Sequence, residues 1–300
     1  MGVKEVMIKV LIDDYAGYDV RGVYAQHGLS ILTKVTYDGG DEEVFILDTG
    51  QGHGVINRNA EVLNVLDDLR SLKAVIVSHT HYDHTGGLKD LARLIVKIRN
   101  DEVRIPLVAH PKILRKHVYV SDDRQALNIG LPYNEDELRS LNYELLFTKS
   151  PLRIGYSVWW LGEIPRETSF EGRPKNFYQI TNDGELIPDY MIDDSAIAIK
   201  VGGFGTIVVS GCSHAGIVNI VNYASKVTLD NVKVVVGGLH LINSSNEVIR
   251  LTINELRKSG VEYAWVGHCT GLVAESEMLK EFREGFSKIY VGFTKVVRGR

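Results

Sequence analysis

The chain has 300 residues, with 34 Lys or Arg against 38 Asp or Glu, a net charge of -4 and 44% hydrophobic residues. A chain of this length and composition can bury a large core, which excludes intrinsic disorder as its main character. Its two cysteines cannot form a disulfide framework, and no apolar run approaches the roughly 20 residues of a membrane-spanning helix. With no apolar leader and no dense Lys/Arg block, we expect a cytoplasmic protein that binds neither a membrane nor nucleic acid.

The first 110 residues alternate between strand and helix patterns. Apolar runs predict strands over 7–12, 29–37, 44–47, 74–77 and 107–109. Apolar residues at helical spacing predict helices over 59–70 and 88–98. A polar turn at 38–41 joins the second and third strands, so the chain begins with a hairpin and continues with βαβ units.

The rhythm loosens over 119–194, which we predict to form an inserted cap segment. Within it we expect one helix at 135–141 and one strand at 157–161. The regular pattern then resumes, with strands predicted over 196–201, 206–209, 232–236, 263–266 and 288–291. Helices are predicted between these strands: after Gly216, after Ser244 or Ser245 as N-cap, and near 274–284.

The two halves share one order of elements, because each starts with a hairpin and continues with strand–helix units. Such halves bury their apolar faces best when their sheets pack together and their helices cover both outer faces. We therefore predict a single α/β domain over 1–300, a four-layer αβ/βα sandwich that carries the inserted cap.

Six of the ten histidines follow predicted strands, where α/β folds place their sites: His79, His81, His84, His214, His240 and His268. Two residues apart in an extended segment, His79 and His81 project to one side and can bind one metal ion. Asp83 and His84, at the turn that follows, can bind a second ion, and we expect both to be catalytic. A solvated polar loop is a poorer explanation, because three histidines and an aspartate fall within six residues.

The run HTHYDH matches the HxHxDH signature of the metallo-β-lactamase superfamily, and similar segments continue along nearly the whole chain. They are VFILDTG, GEIPR, DDSAIAI, SGCSHAGIVNI, GGLHL and GHCTG. Within the superfamily, these segments resemble a dihydropteroate-synthase-like branch of methanopterin biosynthesis. The resemblance implies the metallo-β-lactamase fold and two divalent metal ions, with Zn(II) as first choice and Mn(II) or Fe(II) as alternatives.

The resemblance also implies the remaining metal-binding residues. Asp48, within VFILDTG, would hydrogen-bond to the metal-binding loop at 79–84 without binding the metal itself. Many superfamily members carry a bridging aspartate after the strand at 206–209, and here Cys212 lies closest to its place, either as a thiolate ligand or as a small buried side chain. His214 would point into the same site. One of His240 and His268 would be the last histidine ligand, with His268 favoured, and the other would line the pocket or complete the second metal.

Other reactive side chains receive lesser roles. His110 is predicted to be structural, and His27 to cover the mouth of the pocket. His53 and His117 have no chemical neighbours in the sequence and are predicted to lie on the surface. Cys269 is predicted to pack beside the site rather than bind metal.

Membership of the synthase-like branch would imply a transferase that joins a dihydropterin methyl diphosphate to a ribofuranosylaminobenzene phosphate. A phosphorylated small-molecule substrate calls for cations, and Arg166, Arg173 and Lys175 in the cap are predicted to contact it, unless this segment is a solvated loop. Two alternatives remain open. One is a metal-dependent hydrolase of a phosphodiester, thioester or lactone, and the other is a non-catalytic metal-binding relative.

Overall fold

The computed structural model describes residues 2–100, 103–172 and 174–299. Strands are numbered along the chain. The first nine are Val3–Ile12 (β1), Ser30–Tyr37 (β2), Glu42–Leu47 (β3), Leu72–Ile76 (β4), Ile105–Ala109 (β5), Lys116–Val120 (β6), Ala126–Asn128 (β7), Tyr143–Phe147 (β8) and Leu152–Arg153 (β9). The others are Val158–Trp160 (β10), Phe177–Ile180 (β11), Leu186–Pro188 (β12), Ala196–Val201 (β13), Gly205–Ser210 (β14), Val232–Gly238 (β15), Tyr263–Gly267 (β16), Phe286–Lys288 (β17) and Thr294–Arg298 (β18).

The α-helices connect these strands and cover the sheets. They are Val55–Val62 (α1), Leu66–Arg70 (α2), Tyr82–Thr85 (α3), Leu88–Arg99 (α4), Glu135–Ser140 (α5), Ile217–Thr228 (α6), Asn246–Lys258 (α7) and Leu272–Phe282 (α8). Short 3-10 turns cover Pro111–Leu114, His268–Thr270 and Arg283–Gly285. Among the described residues, no helix combines the length and the apolar character that crossing a membrane requires.

Two seven-stranded sheets dominate the fold. The first has the order β18-β1-β2-β3-β4-β5-β8 and the second the order β17-β16-β15-β14-β13-β10-β9. Each contains an antiparallel hairpin, β2-β3 or β13-β14, that continues into parallel strands. Because parallel strands end on the same edge of a sheet, the loops after β4, β14, β15 and β16 are in position to build a site.

The core lies in three apolar layers, one between the sheets and one on each outer face. Phe45 and Ile197, both fully buried, belong to the layer between the sheets. Ile46, the neighbour of Phe45 on β3, points the other way and packs in the layer that includes residues of α1, α2 and α4. Residues of α6, α7 and α8 pack on the outer face of the second sheet. This is the predicted four-layer αβ/βα sandwich.

Most predicted elements form, with shifts at their ends. The helix predicted over 59–70 is two helices, since Asn64 adopts a left-handed conformation with φ 54° and interrupts it. The last predicted strand, 288–291, was misplaced: β17 ends at Lys288, and β18 then pairs antiparallel with β1. Ser245 is the N-cap of α7, because its side chain accepts the N–H of Val248.

The predicted cap segment, 119–194, needs correction because it is divided among three sheets. β8 extends the first large sheet beside β5, and β10 extends the second beside β13. β9 pairs with β10 at the edge of that second sheet, and a separate four-stranded sheet of order β12-β11-β6-β7 contains the other strands from this region. Such short edge strands give little apolar periodicity, which is why the sequence alone merged them into one segment.

Candidate metal centre

The loop after β4 carries the densest group of candidate ligands. It presents four buried side chains within six residues: His79, His81, Asp83 and His84. The turn that follows lies against neighbouring backbone, since a Cβ on Gly87 would come within 2.1 Å of the carbonyl oxygen of Thr49. Only glycine permits this approach, so the sequence pair Gly86-Gly87 fixes the loop close to the sheet.

His79, His81 and His214 form what we call the first group. Their ligand atoms lie within 4.8 Å of one another, and Nε2 of His79 is 3.0 Å from Nδ1 of His81. His214, from the loop after β14, is 4% exposed, and neither of its ring nitrogens has a hydrogen-bond partner among the described residues. Buried polar atoms without partners are costly, whereas a cation would satisfy them. The three histidines therefore fit a divalent metal ion.

The pKa values of the three histidines in the first group also favour metal binding. Burial lowers the pKa of His79, His81 and His214 well below the ordinary value, and the neighbouring histidines lower it further. Neutral imidazole is the form that binds metal. The first group therefore presents neutral rings at neutral pH.

Asp83, His84 and His268 form the second group, whose ligand atoms again lie within 4.8 Å of one another. The Asp83 carboxylate is 3.4 Å from Nε2 of His84 and 3.6 Å from Nε2 of His268. His240, by contrast, has its ligand atom beside those of Cys212 and Cys269. The geometry therefore favours His268 over His240 as the partner of Asp83 and His84.

In the second group, carboxylates accept hydrogen bonds from the Nδ1 atoms of the two histidines. Asp48 accepts a hydrogen bond from Nδ1 of His84 at 2.7 Å. Asp14 accepts one from Nδ1 of His268 at 2.6 Å, and sequence reasoning missed this residue. The signal was the pair Asp13-Asp14 directly after β1. Such contacts leave Nε2 of each histidine facing the site.

His268 differs from the first group in its charge. Burial opposes a positive charge there, but the Cys269 sulfur and the Asp14 carboxylate raise the pKa of His268 to about 10. The ring therefore carries a proton at neutral pH when no cation is bound. Metal binding at the second group must release that proton.

Cys212 lies between the two groups. Its sulfur is 3.2 Å from Nε2 of His84, and its ligand atom is within 4.8 Å of those of His79 and His84. His240 sits to one side, with its ring centroid 4.2 Å from that of His214 and its ligand atom near those of Cys212 and Cys269.

His117 was predicted to lie on the surface, and that prediction was wrong: β6 carries it into the site, fully buried. Its Nδ1 donates to Asp189 at 2.7 Å, and its Nε2 is 3.1 Å from Nε2 of His81. With Nδ1 as the donor, Nε2 of His117 accepts from His81. Nδ1 of His81 is then left without a proton and faces His79. The pair His117–Asp189 thus fixes the tautomer that can bind metal.

Comparisons with known proteins place the chain in a family. A model of the beta-lactamase superfamily domain matches residues 44–132. The 7,8-dihydropterin-6-methyl-4-(beta-D-ribofuranosyl)-aminobenzene-5'-phosphate synthase of Methanocaldococcus jannaschii is 34% identical over 294 residues, which cover 97% of this chain and 96% of that protein. The chain belongs to the metallo-β-lactamase superfamily. Within it, the chain is similar to this synthase along almost its whole length, and the predicted enzyme class is confirmed.

Solved structures of the metallo-β-lactamase superfamily confirm the fold. A metal-dependent hydrolase of the beta-lactamase superfamily superposes with a TM-score of 0.78 at 26% identity, covering 98% of this chain and 99% of that chain. A diphosphatase from the PhnP family superposes with a TM-score of 0.52 at 13% identity, which shows the shared fold alone. Superfamily members bind divalent metals, as the donor sets described above would allow.

The basic residues predicted to contact substrate have different positions in this metallo-β-lactamase fold. The Arg166 guanidinium donates to the backbone carbonyls of His214, Tyr190 and Met191 and so connects three loop positions, and its contact with substrate stays a prediction. Lys175 is exposed and stays a prediction. Arg173 lies outside the described residues.

The remaining histidines, His110, His53 and His27, belong to neither the first nor the second group. His110 is buried, and its Nε2 is 3.1 Å from a carboxylate oxygen of Glu163, a structural contact. His53 is exposed. The ring of His27 is 56% exposed, with Nδ1 2.8 Å from Asp14 and Nε2 3.5 Å from Asp83. It therefore lies at the edge of the second group, and its role at the mouth of the pocket stays a prediction.

Replacing His117 by phenylalanine is expected to weaken metal binding at the first group about 10- to 100-fold without unfolding the protein. Phenylalanine keeps an aromatic ring beside Phe177, whose centroid is 5.2 Å from that of His117, but removes the acceptor for His81. Titration against a competing chelator measures the affinity. The exposed His53→Asn variant is the control, and an unchanged affinity in His117→Phe would contradict the positioning role.

Asp13 gives a pH-dependent prediction for the metal-free protein. Burial raises its pKa from 3.8 to about 7, against a smaller lowering by the N–H of Tyr15. Because the folded state keeps the proton longer than the unfolded state, this carboxyl destabilises the fold progressively as pH rises from about 4 to 7. Asp13→Asn should therefore raise the free energy of unfolding at pH 8 by on the order of 1–3 kcal/mol, and by less at pH 5.

Urea unfolding at both pH values tests the Asp13 prediction. The exposed Asp41→Asn variant serves as the control for removing a carboxylate from the surface. An equal stability difference at pH 5 and pH 8 in Asp13→Asn would rule out the titration of Asp13 as its cause.

Proposed function

We propose that this enzyme is a metal-dependent transferase that joins a dihydropterin methyl diphosphate to a ribofuranosylaminobenzene phosphate and releases diphosphate. The similarity to the synthase of Methanocaldococcus jannaschii, at 34% identity over 97% of the chain, supports this substrate class. One structural observation carries the proposal: the two ligand groups adjoin, with the ring centroids of His79 and His84 only 4.2 Å apart. Two such groups are close enough to act on one diphosphate.

We propose one divalent ion for each group, Zn(II) in the first instance, with Mn(II) or Fe(II) as alternatives. The first group offers three imidazoles, and the second offers one carboxylate and two imidazoles. When bound, these ions supply Lewis acidity to the phosphoryl oxygens of the leaving group. Asp83 and His84, the proposed catalytic pair, would bind the ion of the second group directly.

The chain's own residues shape the space around these groups. Phe177, on β11, lies against His81 and His214 with ring centroids 5.1 and 5.6 Å away. This aromatic wall shields the first group from water and offers a flat surface to a ring-containing substrate. His27, at the open side, can donate to a phosphate oxygen. Lys175 and Arg173 remain the proposed contacts for the ribose phosphate.

The direct test supplies both substrates to the metal-loaded protein. We expect diphosphate and the coupled product in equal amounts, and neither product after a chelator has removed the metal. Diphosphate release that does not require the aminobenzene substrate would overturn the transferase assignment.

A metal-dependent hydrolase is the second candidate, and one observation favours it. The solved structure at TM-score 0.78 and 26% identity is described as a metal-dependent hydrolase. Hydrolysis of bis(p-nitrophenyl) phosphate by the metal-loaded protein, without coupling of the two proposed substrates, would support this candidate in place of the transferase.

A further inference from the structure

A third set of ligand-type side chains lies beside the two groups. Cys212, His240 and Cys269 have ligand atoms within 4.8 Å of one another. They follow β14, β15 and β16, three neighbouring strands of the second sheet, so the fold brings them together from distant parts of the sequence. The two cysteines are the only ones in the chain, and both lie in this set.

Few contacts within the protein engage the donor atoms of this set: Sγ of Cys212 lies 3.2 Å from Nε2 of His84, and Sγ of Cys269 donates to the carbonyl oxygen of Cys212 at 3.7 Å. Nδ1 of His240 is buried without a hydrogen-bond partner among the described residues. The two thiols are free rather than joined in a disulfide. Cys269 receives the backbone N–H of His240 at 3.2 Å, which orients its sulfur without occupying its other lone pairs. Packing alone does not account for a buried imidazole nitrogen with no partner beside two thiols.

We propose that Cys212, His240 and Cys269 form a third cation site, which takes a thiophilic ion such as Zn(II). Two sulfurs and one imidazole are a donor set that Zn(II) accepts in tetrahedral sites, with a fourth position for an external ligand. Sulfur ligands select for Zn(II) and related soft ions over Mg(II) or Ca(II). Cys269 and His240 are partly exposed, so the fourth position faces the solvent side of the set.

Cys212 links this site to the other two groups. Its sulfur also lies within 4.8 Å of the ligand atoms of His79 and His84. The place at which many superfamily members carry a bridging carboxylate therefore holds, in this chain, a sulfur that can be shared with a third ion. The site does not depend on which reaction the enzyme catalyses.

Metal content and cobalt spectra of the full-length protein test this site without an activity assay. The protein is reconstituted with Zn(II) or with Co(II) under a phosphine reductant, and unbound metal is removed. Thiolate ligands to Co(II) give a charge-transfer absorption in the near ultraviolet. We expect Cys269→Ser to bind about one Zn(II) fewer per chain than wild type and to lose part of this absorption.

His240→Gln and the exposed His53→Asn variant complete the design. His240→Gln should also lose about one Zn(II) per chain, whereas His53→Asn should keep the wild-type content. A folded Cys269→Ser protein that keeps either its full metal content or its full cobalt absorption overturns the proposal. If Cys269→Ser does not fold, the metal content of His240→Gln decides: loss supports the third site, and retention overturns it.

Discussion

Replacing His81 by alanine is expected to abolish metal binding at the first group and, with it, all turnover. His81 lies between His79 and His117, at 3.0 and 3.1 Å, so its removal takes away one ligand and breaks the chain of contacts that orients it. The two remaining histidines of the group cannot hold a four-coordinate ion alone. Mass spectrometric metal analysis should show about one ion fewer per chain.

The control for His81→Ala is His53→Asn, which removes an exposed histidine that belongs to neither ligand group. Circular dichroism of both variants shows whether the fold is retained. Full metal occupancy with normal turnover in His81→Ala would rule out the first group as a metal site.

Replacing Asp48 by alanine is expected to cost about 3–5 kcal/mol of unfolding free energy. The buried carboxylate accepts the N–H of Ser78 at 2.7 Å, the hydroxyl of Ser78 at 2.6 Å and Nδ1 of His84 at 2.7 Å. Alanine leaves these buried donors without their acceptor, and each costs about 1–3 kcal/mol. Urea unfolding of the metal-free protein measures the loss, and a change below about 1 kcal/mol would contradict it.

Asparagine at position 48 separates stability from metal binding. Its carbonyl oxygen can still accept the N–H of Ser78, and its amide N–H can donate to Nδ1 of His84. The His84 proton then resides on Nε2, the nitrogen that faces Asp83, and blocks it as a ligand. Asp48→Asn should therefore stay closer to wild-type stability than Asp48→Ala while losing metal at the second group. Full metal content in Asp48→Asn would show that the tautomer of His84 is not controlled here.

The architecture could be predicted from the sequence because the central strands of the two large sheets, such as β3 and β14, are buried on both faces. Such strands read as apolar runs, and amphipathic helices such as α4 show their own periodicity between them. The pairing of β18 with β1 had no local signal, because only Val297 of the five residues of β18 is buried. The short strands β7 and β9 were missed for a similar reason, because two or three residues at a sheet edge carry no readable period.

Part of the candidate site could likewise be predicted from the sequence and part could not. The loop with His79, His81, Asp83 and His84 is continuous in sequence, so its spacing alone indicated a metal site. The residues that orient the ligands are distant from their partners in the sequence. Asp14 contacts the ligand His268 across 254 residues, and His117, which contacts His81, is held by Asp189 across 72 residues. Spacing along a chain says nothing about such pairs. His117, with no chemical neighbours in the sequence, therefore looked like a surface residue.

Anomalous X-ray diffraction from crystals of the Zn(II)-loaded protein tests the central claim most directly. The claim is that the loops of both sheets together build two adjacent metal positions. We expect one anomalous peak among His79, His81 and His214, and a second among Asp83, His84 and His268. A single peak, or peaks that lie outside these two groups with either group empty, would contradict it.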